Sequence, residues 1–282
     1  MTRCLCAATT LLTLVGAGPV SAADLQAKTS AAFDRYVRLT EARIDREVRG
    51  EQPFLLTDRL AGADAADAKA RLAAGEVVVR ALETRDAGRT IDIPDGLTHH
   101  WIGAIVIPGA AVRQVVSLMQ GYDAYADVYR PNIRRSRTLS HNGDRYTASL
   151  QLFMKKVISV VLNTEYDVRY VAVSADRVHV RSYATRIAEV ENPDTPEARE
   201  KPVGHDSGFL WRFNNYCGIA RVDAGAYVQC ETISLSRDVP FALGWLVKPF
   251  VTSIPRESLE FTLTAMRTEL TGAAEQGQTA RR

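Results

Sequence analysis

The sequence predicts an α+β fold in which a curved antiparallel sheet wraps around one long C-terminal helix. From about Gly75 to Leu235, apolar residues recur with a period of two, as they do in strands. From Ser253 to Leu270 the period is that of a helix, and one helical face carries Leu259, Leu263, Met266 and Leu270. Many antiparallel strands followed by one helix with an apolar face favour a sheet that grips this helix, with an apolar cavity between them.

The first 22 residues have the three parts of a secretory signal peptide. Arg3 supplies the positive charge, Leu11 to Val15 lie in an apolar segment, and Val20-Ser21-Ala22 is a cleavage site of small residues. The apolar segment is too short to span a membrane. We therefore predict an exported protein, periplasmic or secreted, whose mature chain begins near Ala23.

The charge of the chain argues against a nucleic-acid partner. The formal net charge is +2. Loss of the signal peptide removes Arg3 and lowers the net charge to +1. Proteins that bind nucleic acid usually carry an excess of basic residues in a patch. The net charge of this chain is close to zero and gives no indication of such a patch. No second long apolar run is present, so we also expect no membrane-spanning segment. The oligomeric state stays open.

Two predicted helices precede the strands. The pattern from Asp24 to Gly50 is helical, and a second helix is expected near Asp64 to Ala73. We therefore divide the mature chain into a helical N-terminal extension (residues 23–74), a sheet-and-helix domain (75–272) and a flexible tail (273–282).

Within the domain, two β segments and a short helix come before a series of hairpins. The segments begin at Val77 and at Thr98, and the helix spans Ala111 to Tyr122. Asn142-Gly143 is the clearest hairpin turn, because both residues tolerate a positive φ. The predicted hairpins pair residues 133–140 with 145–153, 157–173 with 177–190, and 208–221 with 226–237.

Two connections differ from the short turns. Glu191 to Asp206 carries three prolines and is long enough to form a lid or a binding loop. Pro240 to Phe250 is apolar and is expected to be a connection that leads into the final helix, which would begin near Ser253.

Cys217 and Cys230 flank the last predicted turn. If Arg221 pairs with Ala226 across a four-residue loop, the two cysteines lie opposite each other on neighbouring strands. In an oxidising compartment this arrangement allows a disulfide bond. A shift of one residue in the register would instead leave two buried thiols, and both outcomes are compatible with the sequence.

Three stretches of the domain resemble a known superfamily. They are the strand at Thr98–Ala104 with Pro108-Gly109-Ala110 and the helix after it, the segment Tyr122-Asp123-Ala124-Tyr125 with Pro131, and Gly244–Val247 with Pro249-Phe250 ahead of Ser253–Leu259. Together they resemble the START-like (SRPBCC) helix-grip superfamily, which includes START lipid-transfer domains, plant pathogenesis-related allergens and bacterial polyketide cyclases. The resemblance covers about residues 75–270. It implies the helix-grip fold and a cavity for a hydrophobic ligand.

The candidate ligand-binding residues follow from this fold, in which the concave core and the cavity wall are the same surface. Aromatic residues at a period of two usually face a core. Methionine suits an adaptable apolar pocket. Polar residues of the strand that begins near Val178 would bind a ligand head group if they faced the cavity. The candidates are Phe209, Trp211, Phe213, Leu259, Leu263 and Met266, with Tyr183 and Arg181 as the polar pair.

No metal site or catalytic motif is evident. His99 and His100 are adjacent, so in a strand they point to opposite faces and do not share one ion. The remaining histidines, His141, His179 and His205, form no cluster in the sequence, and no G-x-S-x-G or phosphate-binding glycine loop is found. We predict no metal and no cofactor.

We therefore expect an exported binding protein that holds a hydrophobic small molecule or lipid between the sheet and the C-terminal helix. The first alternative is a cyclase- or hydrolase-type enzyme on the same fold, for which His179, Arg181 and Tyr183 are the acid/base candidates. The second is a scaffold with a filled core that acts through its N-terminal helices.

Overall fold

The computed structural model describes residues 23–155, 159–238 and 241–279. The predicted signal peptide (residues 1–22) lies outside these residues, as do the last three residues of the predicted tail. The predicted α+β class is confirmed: a large antiparallel sheet, a few helices and one long C-terminal helix make up the fold.

The helices fall into three groups along the chain. Three lie in the N-terminal extension, two short ones follow the first long strand, and the last closes the chain. Their bounds are α1 (Ala27–Val48), α2 (Leu56–Arg59), α3 (Gly62–Ala73), α4 (Val112–Gln120), α5 (Tyr125–Val128) and α6 (Phe241–Thr279). None of them is long and apolar enough to cross a membrane, as judged on the described residues.

Among the described residues, seven strands are long and six have two to four residues. In chain order they are β1 (Ala23–Asp24), β2 (Val78–Ala81), β3 (Arg85–Asp86), β4 (Arg89–Thr90), β5 (Gly96–Pro108), β6 (Ile133–Asn142), β7 (Arg145–Lys155), β8 (Ser159–Ser174), β9 (Arg177–Glu191), β10 (Arg199–Glu200), β11 (His205–Asp206), β12 (Arg212–Val222) and β13 (Gly225–Arg237). The three predicted hairpins correspond to β6–β7, β8–β9 and β12–β13.

The main sheet is antiparallel throughout and open at both edges. Its strands follow the order β2-β5-β13-β12-β9-β8-β7-β6, and β10 adds to the free end of β9. β5 and β13 therefore lie side by side although five long strands separate them in the chain. The two strands of the last hairpin, β12 and β13, lie in the interior of the sheet.

Each central strand buries residues on both faces. One face carries Ile105, Val228 and other apolar residues that pack against Leu259, Leu263 and Met266 of α6. The other face carries residues that pack against the N-terminal extension: Ile233 and Leu235 contact the α1 residues, and Ile102 lies with the α3 residues. We call these the α6 face and the outer face. Successive residues of a strand alternate between them.

The C-terminal helix is longer than the sequence predicts. The residues from Pro240 to Phe250 were expected to form a connection, but the helix runs from Phe241 through Pro249 and Pro255. A proline in a helix lacks one backbone donor and weakens the helix locally, yet an α-helix can continue past it. Ser253 followed by Pro255 therefore imitates a helix start inside a longer helix.

The predicted loop from Glu191 to Asp206 is held against the rest of the protein by hydrogen bonds, an ion pair and strand pairing. Arg134 contacts Asp194 through two hydrogen bonds of 2.8 and 2.9 Å, and β10 pairs with β9. Lys201 Nζ lies 2.6 Å from Glu189 Oε1, and Glu189 also accepts a hydrogen bond from the backbone of Ser207. The end of the loop, β11, pairs with β1.

Cys217 and Cys230 form a disulfide bond across the last hairpin. Arg221 pairs with Ala226, and the two cysteines are direct partners in the register. The S–S distance is 2.05 Å, and the cysteines are 13 residues apart in the chain. The bond joins two interior strands of the sheet on their α6 face, where both cysteines belong to the core.

Replacing both Cys217 and Cys230 with alanine should lower the free energy of unfolding by about 2–4 kcal/mol, since the bond restricts a loop of the unfolded chain. Urea unfolding of the oxidised protein and of the double variant measures the difference. Adding a reductant should shift the midpoint of the wild type toward that of the variant and leave the variant itself unchanged. Equal midpoints for the two oxidised proteins would contradict the prediction.

Candidate ligand site

The α6 face changes character along the central strands. Toward the β12–β13 turn it is aliphatic: Ile107, Ile219 and Val228 are fully covered and belong to one core cluster. A Cβ added to Gly103 would lie 2.8 Å from Leu263 Cδ1, so α6 packs directly against the backbone of β5. Leu263 and Met266 are 0 and 2% exposed. This half of the face is a closely packed core.

Toward the other end, the same face carries hydrogen-bonding side chains. Ser182, Asn215, Thr232 and Trp101 are direct partners across β9, β12, β13 and β5, so they form one row. The next row contains Ala184, Phe213, Ser234 and His99. The registers of Phe213 with Ser234 and of Ser234 with His99 are direct, and Ala184 follows by continuing the β9–β12 register. We call the six residues of these rows that carry a hydrogen-bonding side chain the polar belt: Ser182, Asn215, Thr232, Trp101, Ser234 and His99.

Most groups of the polar belt have no hydrogen-bond partner within the described residues. This applies to the side chains of Ser182, Trp101, Thr232 and Ser234, although Thr232 and Ser234 are 8 and 4% exposed. The amide of Asn215 lies 3.4 Å from the sulfur of Cys217, a weak acceptor. His99 Nε2 lies 3.1 Å from Ser236 Oγ. The fully covered side-chain atoms without a partner belong to other residues, so the polar atoms of the belt are free to bind water or a ligand group.

A cluster of half-buried apolar residues adjoins the polar belt. Its buried base is Val160, Leu162 and Ile187 on β8 and β9. The half-buried members pack on this base, and they include two that also contact the main core, Leu152 and Phe213. We call the half-buried set the apolar wall; it consists of Leu152, Met154, Ala184, Phe209, Leu210 and Phe213.

The structure separates the predicted ligand residues into three places. Phe209 and Phe213 lie in the apolar wall. Leu259, Leu263 and Met266 lie in the closely packed core beneath α6. The remaining three predicted residues lie on the outer face.

Trp211, Arg181 and Tyr183 do not line a space between the sheet and α6, which corrects the prediction. Trp211 precedes the first residue of β12, so strand alternation does not extend to it, and it packs with the α1 residues. Arg181 forms an ion pair with Asp45 of α1, and the hydroxyl of Tyr183 donates to Glu41 at 2.7 Å. The predicted common face of Arg181 and Tyr183 is real, but α1 covers it.

The outer face holds a buried ionic cluster beneath α1. Glu231 is 4% exposed and forms an ion pair with Arg43, and His100 Nε2 lies 2.7 Å from its Oε1 atom. The hydroxyl of Tyr36 lies 2.8 Å from His100 Nδ1 and accepts from the backbone of Thr84. Burial alone would raise the pKa of Glu231, but the hydrogen bond from His100 and the charge of Arg43 lower it overall. Glu231 is therefore an ionised anchor for the extension.

The acid/base candidates of the enzyme alternative do not face a space between the sheet and α6. His179 belongs to the outer face with Arg181 and Tyr183, and all three lie between the sheet and α1. The space next to His179 measures about 20 Å³, which is room for about one water molecule. No group of three or more possible metal ligands is found among the residues that the structure describes.

A separate groove of about 430 Å³ opens beside the second half of α6. Val77 and Ile105 are among its lining residues, and Arg71, Glu76 and Glu260 place charges along it. Arg267 also lines it and donates to the carbonyl oxygen of Gly75. This groove is mostly polar, and none of its lining residues belongs to the polar belt.

The order of the elements decides the fold family. The first long strand, β5, is followed by the small helices α4 and α5, then by consecutive hairpins, and then by a helix that packs on the α6 face. The chain has a START-like helix-grip fold. The resemblance that the residues from Thr98 to Pro131 suggest is thereby confirmed at the level of the fold.

Solved structures share this START-like fold at low identity. A STAR-related lipid transfer protein from Xanthomonas axonopodis is 17% identical with a TM-score of 0.44, and the match covers 68% of this chain and 98% of that one. Human STARD10 is 9% identical with a TM-score of 0.42, covering 77% and 84%. The Zhui aromatase/cyclase from Streptomyces is 11% identical with a TM-score of 0.38, covering 62% and 92%. No family model and no curated protein matches the sequence.

Sequence reasoning missed most of the polar belt. Thr232 and Ser234 lie at a period of two, between Cys230 and Ser236, on a strand whose other face is also buried. A strand buried on both faces shows no polar–apolar alternation. The available signal was the run Cys230, Thr232, Ser234 and Ser236 on one face, where small polar residues replace aliphatic ones.

Stability should fall as the pH drops from about 6.5 to about 4, because His99 and His179 are buried in the neutral form. Burial lowers the pKa of His99 to about 4; burial and the nearby charge of Arg181 do the same for His179. In this window the unfolded chain takes up protons that the folded chain does not, so the free energy of unfolding decreases with decreasing pH. Above pH 6.5 these two groups add no pH dependence.

Urea midpoints measured between pH 7.5 and 4.5 test this expectation. The double variant His99→Gln/His179→Gln should show a smaller decrease between pH 6.5 and 4.5 than the wild type. His141→Gln changes a surface histidine and should retain the wild-type decrease. An unchanged decrease in the double variant would show that other groups cause the pH dependence.

Proposed function

We propose that this protein binds a hydrophobic small molecule or lipid on the α6 face of its sheet, at the apolar wall. The observation that supports this function is the group of half-buried apolar side chains around Phe213 and Leu152, next to a closely packed core. The site lies near the β7–β8 hairpin and the first residues of β12, at the opposite end of the face from Leu263.

The energetics of burial explain why such a wall binds apolar ligands. When a ligand covers apolar surface that was exposed to water, the free energy of binding becomes more favourable by about 25 cal/mol for each Å² covered. Binding sites for small molecules are mostly apolar and contain a few placed polar groups. The apolar wall and the polar belt together have this composition.

The proposed site also accounts for the long loop before β12. The loop from Glu191 to Asp206 ends next to Phe209 and Leu210, two members of the apolar wall. Glu189, Lys201 and Ser207 fasten this end of the loop to β9. The loop thereby holds one side of the wall in place.

We further propose that the protein acts outside the cytoplasm. The three-part pattern of residues 1–22 supports export. The disulfide bond between Cys217 and Cys230 supports an oxidising compartment, since such bonds form and persist mainly there.

Replacing Leu152 with glutamine should weaken the binding of an apolar, environment-sensitive dye by at least about fivefold, because the amide makes this part of the wall polar. Fluorescence titration at constant protein concentration gives the dissociation constant. Ile93→Gln is the matched control: Ile93 is also half-buried and apolar, but it packs on the outer face.

The control variant should bind the dye as the wild type does. If the wild type binds no dye, or if Leu152→Gln and Ile93→Gln weaken binding equally, the site is not the apolar wall. Thermal unfolding of each variant verifies that the differences do not come from loss of folded protein. Native mass spectrometry of the protein purified from its own host would then identify any apolar molecule that it retains.

Expression of the full chain in its host should yield a mature protein that begins near Ala23. N-terminal sequencing of the protein in the extracytoplasmic fraction measures this. A protein that retains Met1 and stays in the cytoplasm would contradict the export proposal and leave the ligand proposal unaffected.

A further inference from the structure

The polar belt shows what kind of hydrophobic molecule the proposed site accepts. We propose that the ligand carries a neutral hydroxyl or carbonyl group and that Thr232, Ser234 and Asn215 bind this group while its apolar part covers the apolar wall. This inference rests on the proposed function and adds the chemical class of the ligand.

The first step concerns unused hydrogen-bonding capacity. Within the part of the chain that the structure describes, the hydroxyl groups of Thr232 and Ser234 form no hydrogen bond, and Asn215 has only the sulfur of Cys217. These side chains are largely buried, but their polar atoms are not among the fully covered atoms without a partner, so water or a ligand group can reach them. All three lie within two adjacent rows of the sheet.

The second step concerns charge. The six side chains of the polar belt include no carboxylate, guanidinium or ammonium group, and burial keeps the imidazole of His99 neutral at physiological pH. Two charged residues of the central strands, Arg181 and Glu231, lie on the outer face with their partners from α1. A third, Glu189 of β9, lies in register with Leu162 and is neutralised by Lys201. A ligand carboxylate or phosphate at the belt would lose its hydration without gaining a counter-charge from the sheet.

The third step concerns hydrogen-bond polarity. A hydroxyl group donates one hydrogen bond and accepts others, and a side-chain amide also does both. Thr232, Ser234 and Asn215 therefore match a ligand hydroxyl or a ligand carbonyl. The indole N–H of Trp101 adds one donor at the end of the first row.

The fourth step concerns distance. Neighbouring strands are about 4.8 Å apart, and residues on one face of a strand are about 7 Å apart. Phe213 lies in the second row beside Ser234, and Leu152 belongs to the same apolar wall as Phe213. One small molecule therefore reaches from the belt to the wall.

Competition among three ligands that share one chain length tests the inference. Decane, 1-decanol and decanoate compete with the apolar dye at pH 7.5, so that only the head group differs. We expect 1-decanol to displace the dye at a concentration at least about tenfold lower than decanoate. We expect it also to displace the dye better than decane.

Conservative variants of the belt then assign the residues. Thr232→Val and Ser234→Ala remove a hydroxyl at almost constant shape. The advantage of 1-decanol over decane, each measured relative to the variant's own dye affinity, should therefore fall at least about threefold. Thr164→Val is the matched control. Its hydroxyl is also buried, but it already donates to the carbonyl oxygen of Leu150 at 2.9 Å, and the variant should keep the wild-type preference.

The outcomes separate this inference from the proposed function. If the wild type binds no dye, both the proposed function and the neutral-ligand inference are wrong. Dye binding with decanoate equal to or better than 1-decanol overturns only the neutral-ligand inference. A preference for 1-decanol that survives both Thr232→Val and Ser234→Ala overturns the assignment of the belt residues.

Discussion

The covering of the central strands on both faces is the constraint on which the rest of this structure depends. Because successive residues of a strand alternate, each residue of β13 belongs either to α6 or to the N-terminal extension. Glu231 and Ile233 therefore face α1, whereas Cys230 and Thr232 face α6. The chain places the ion pairs with α1 on the first side and its disulfide, closely packed core and polar belt on the second. A site for an uncharged molecule can exist at Thr232 because the neighbouring charged residue of β13, Glu231, faces α1.

The sequence was sufficient for the fold class because that class depends on local signals. The change from period two to the helical period at Leu259 and Leu263, and the turns at Asn142-Gly143 and after Arg221, come from neighbouring residues. The same local register placed Cys217 opposite Cys230. The start of α6 was predicted too late because Ser253 and Pro255 form a strong local start signal within a longer helix.

The candidate site was only partly predictable because a face is assigned by tertiary contacts. Arg181 and Tyr183 were correctly placed together, but only the docking of α1 determines that they face Asp45 and Glu41. Strand alternation shows which residues share a face of the sheet, but it does not show which of the two faces borders a cavity. Thr232 and Ser234 were missed because polar residues on a two-sided buried strand resemble ordinary sheet residues in sequence.

The ion pair between Arg43 and Glu231 also constrains how this sequence can change over time. The partners are 188 residues apart in the chain, and Glu231 has almost no contact with water. Loss of Arg43 alone would strand a buried negative charge, whereas simultaneous replacement of both partners by neutral residues of similar size would not. Substitutions in α1 and in β13 are therefore not independent. We expect residues of the extension and residues of the sheet's outer face to change together in evolution. An alignment of the sheet alone would therefore omit the α1 residues that constrain the outer face.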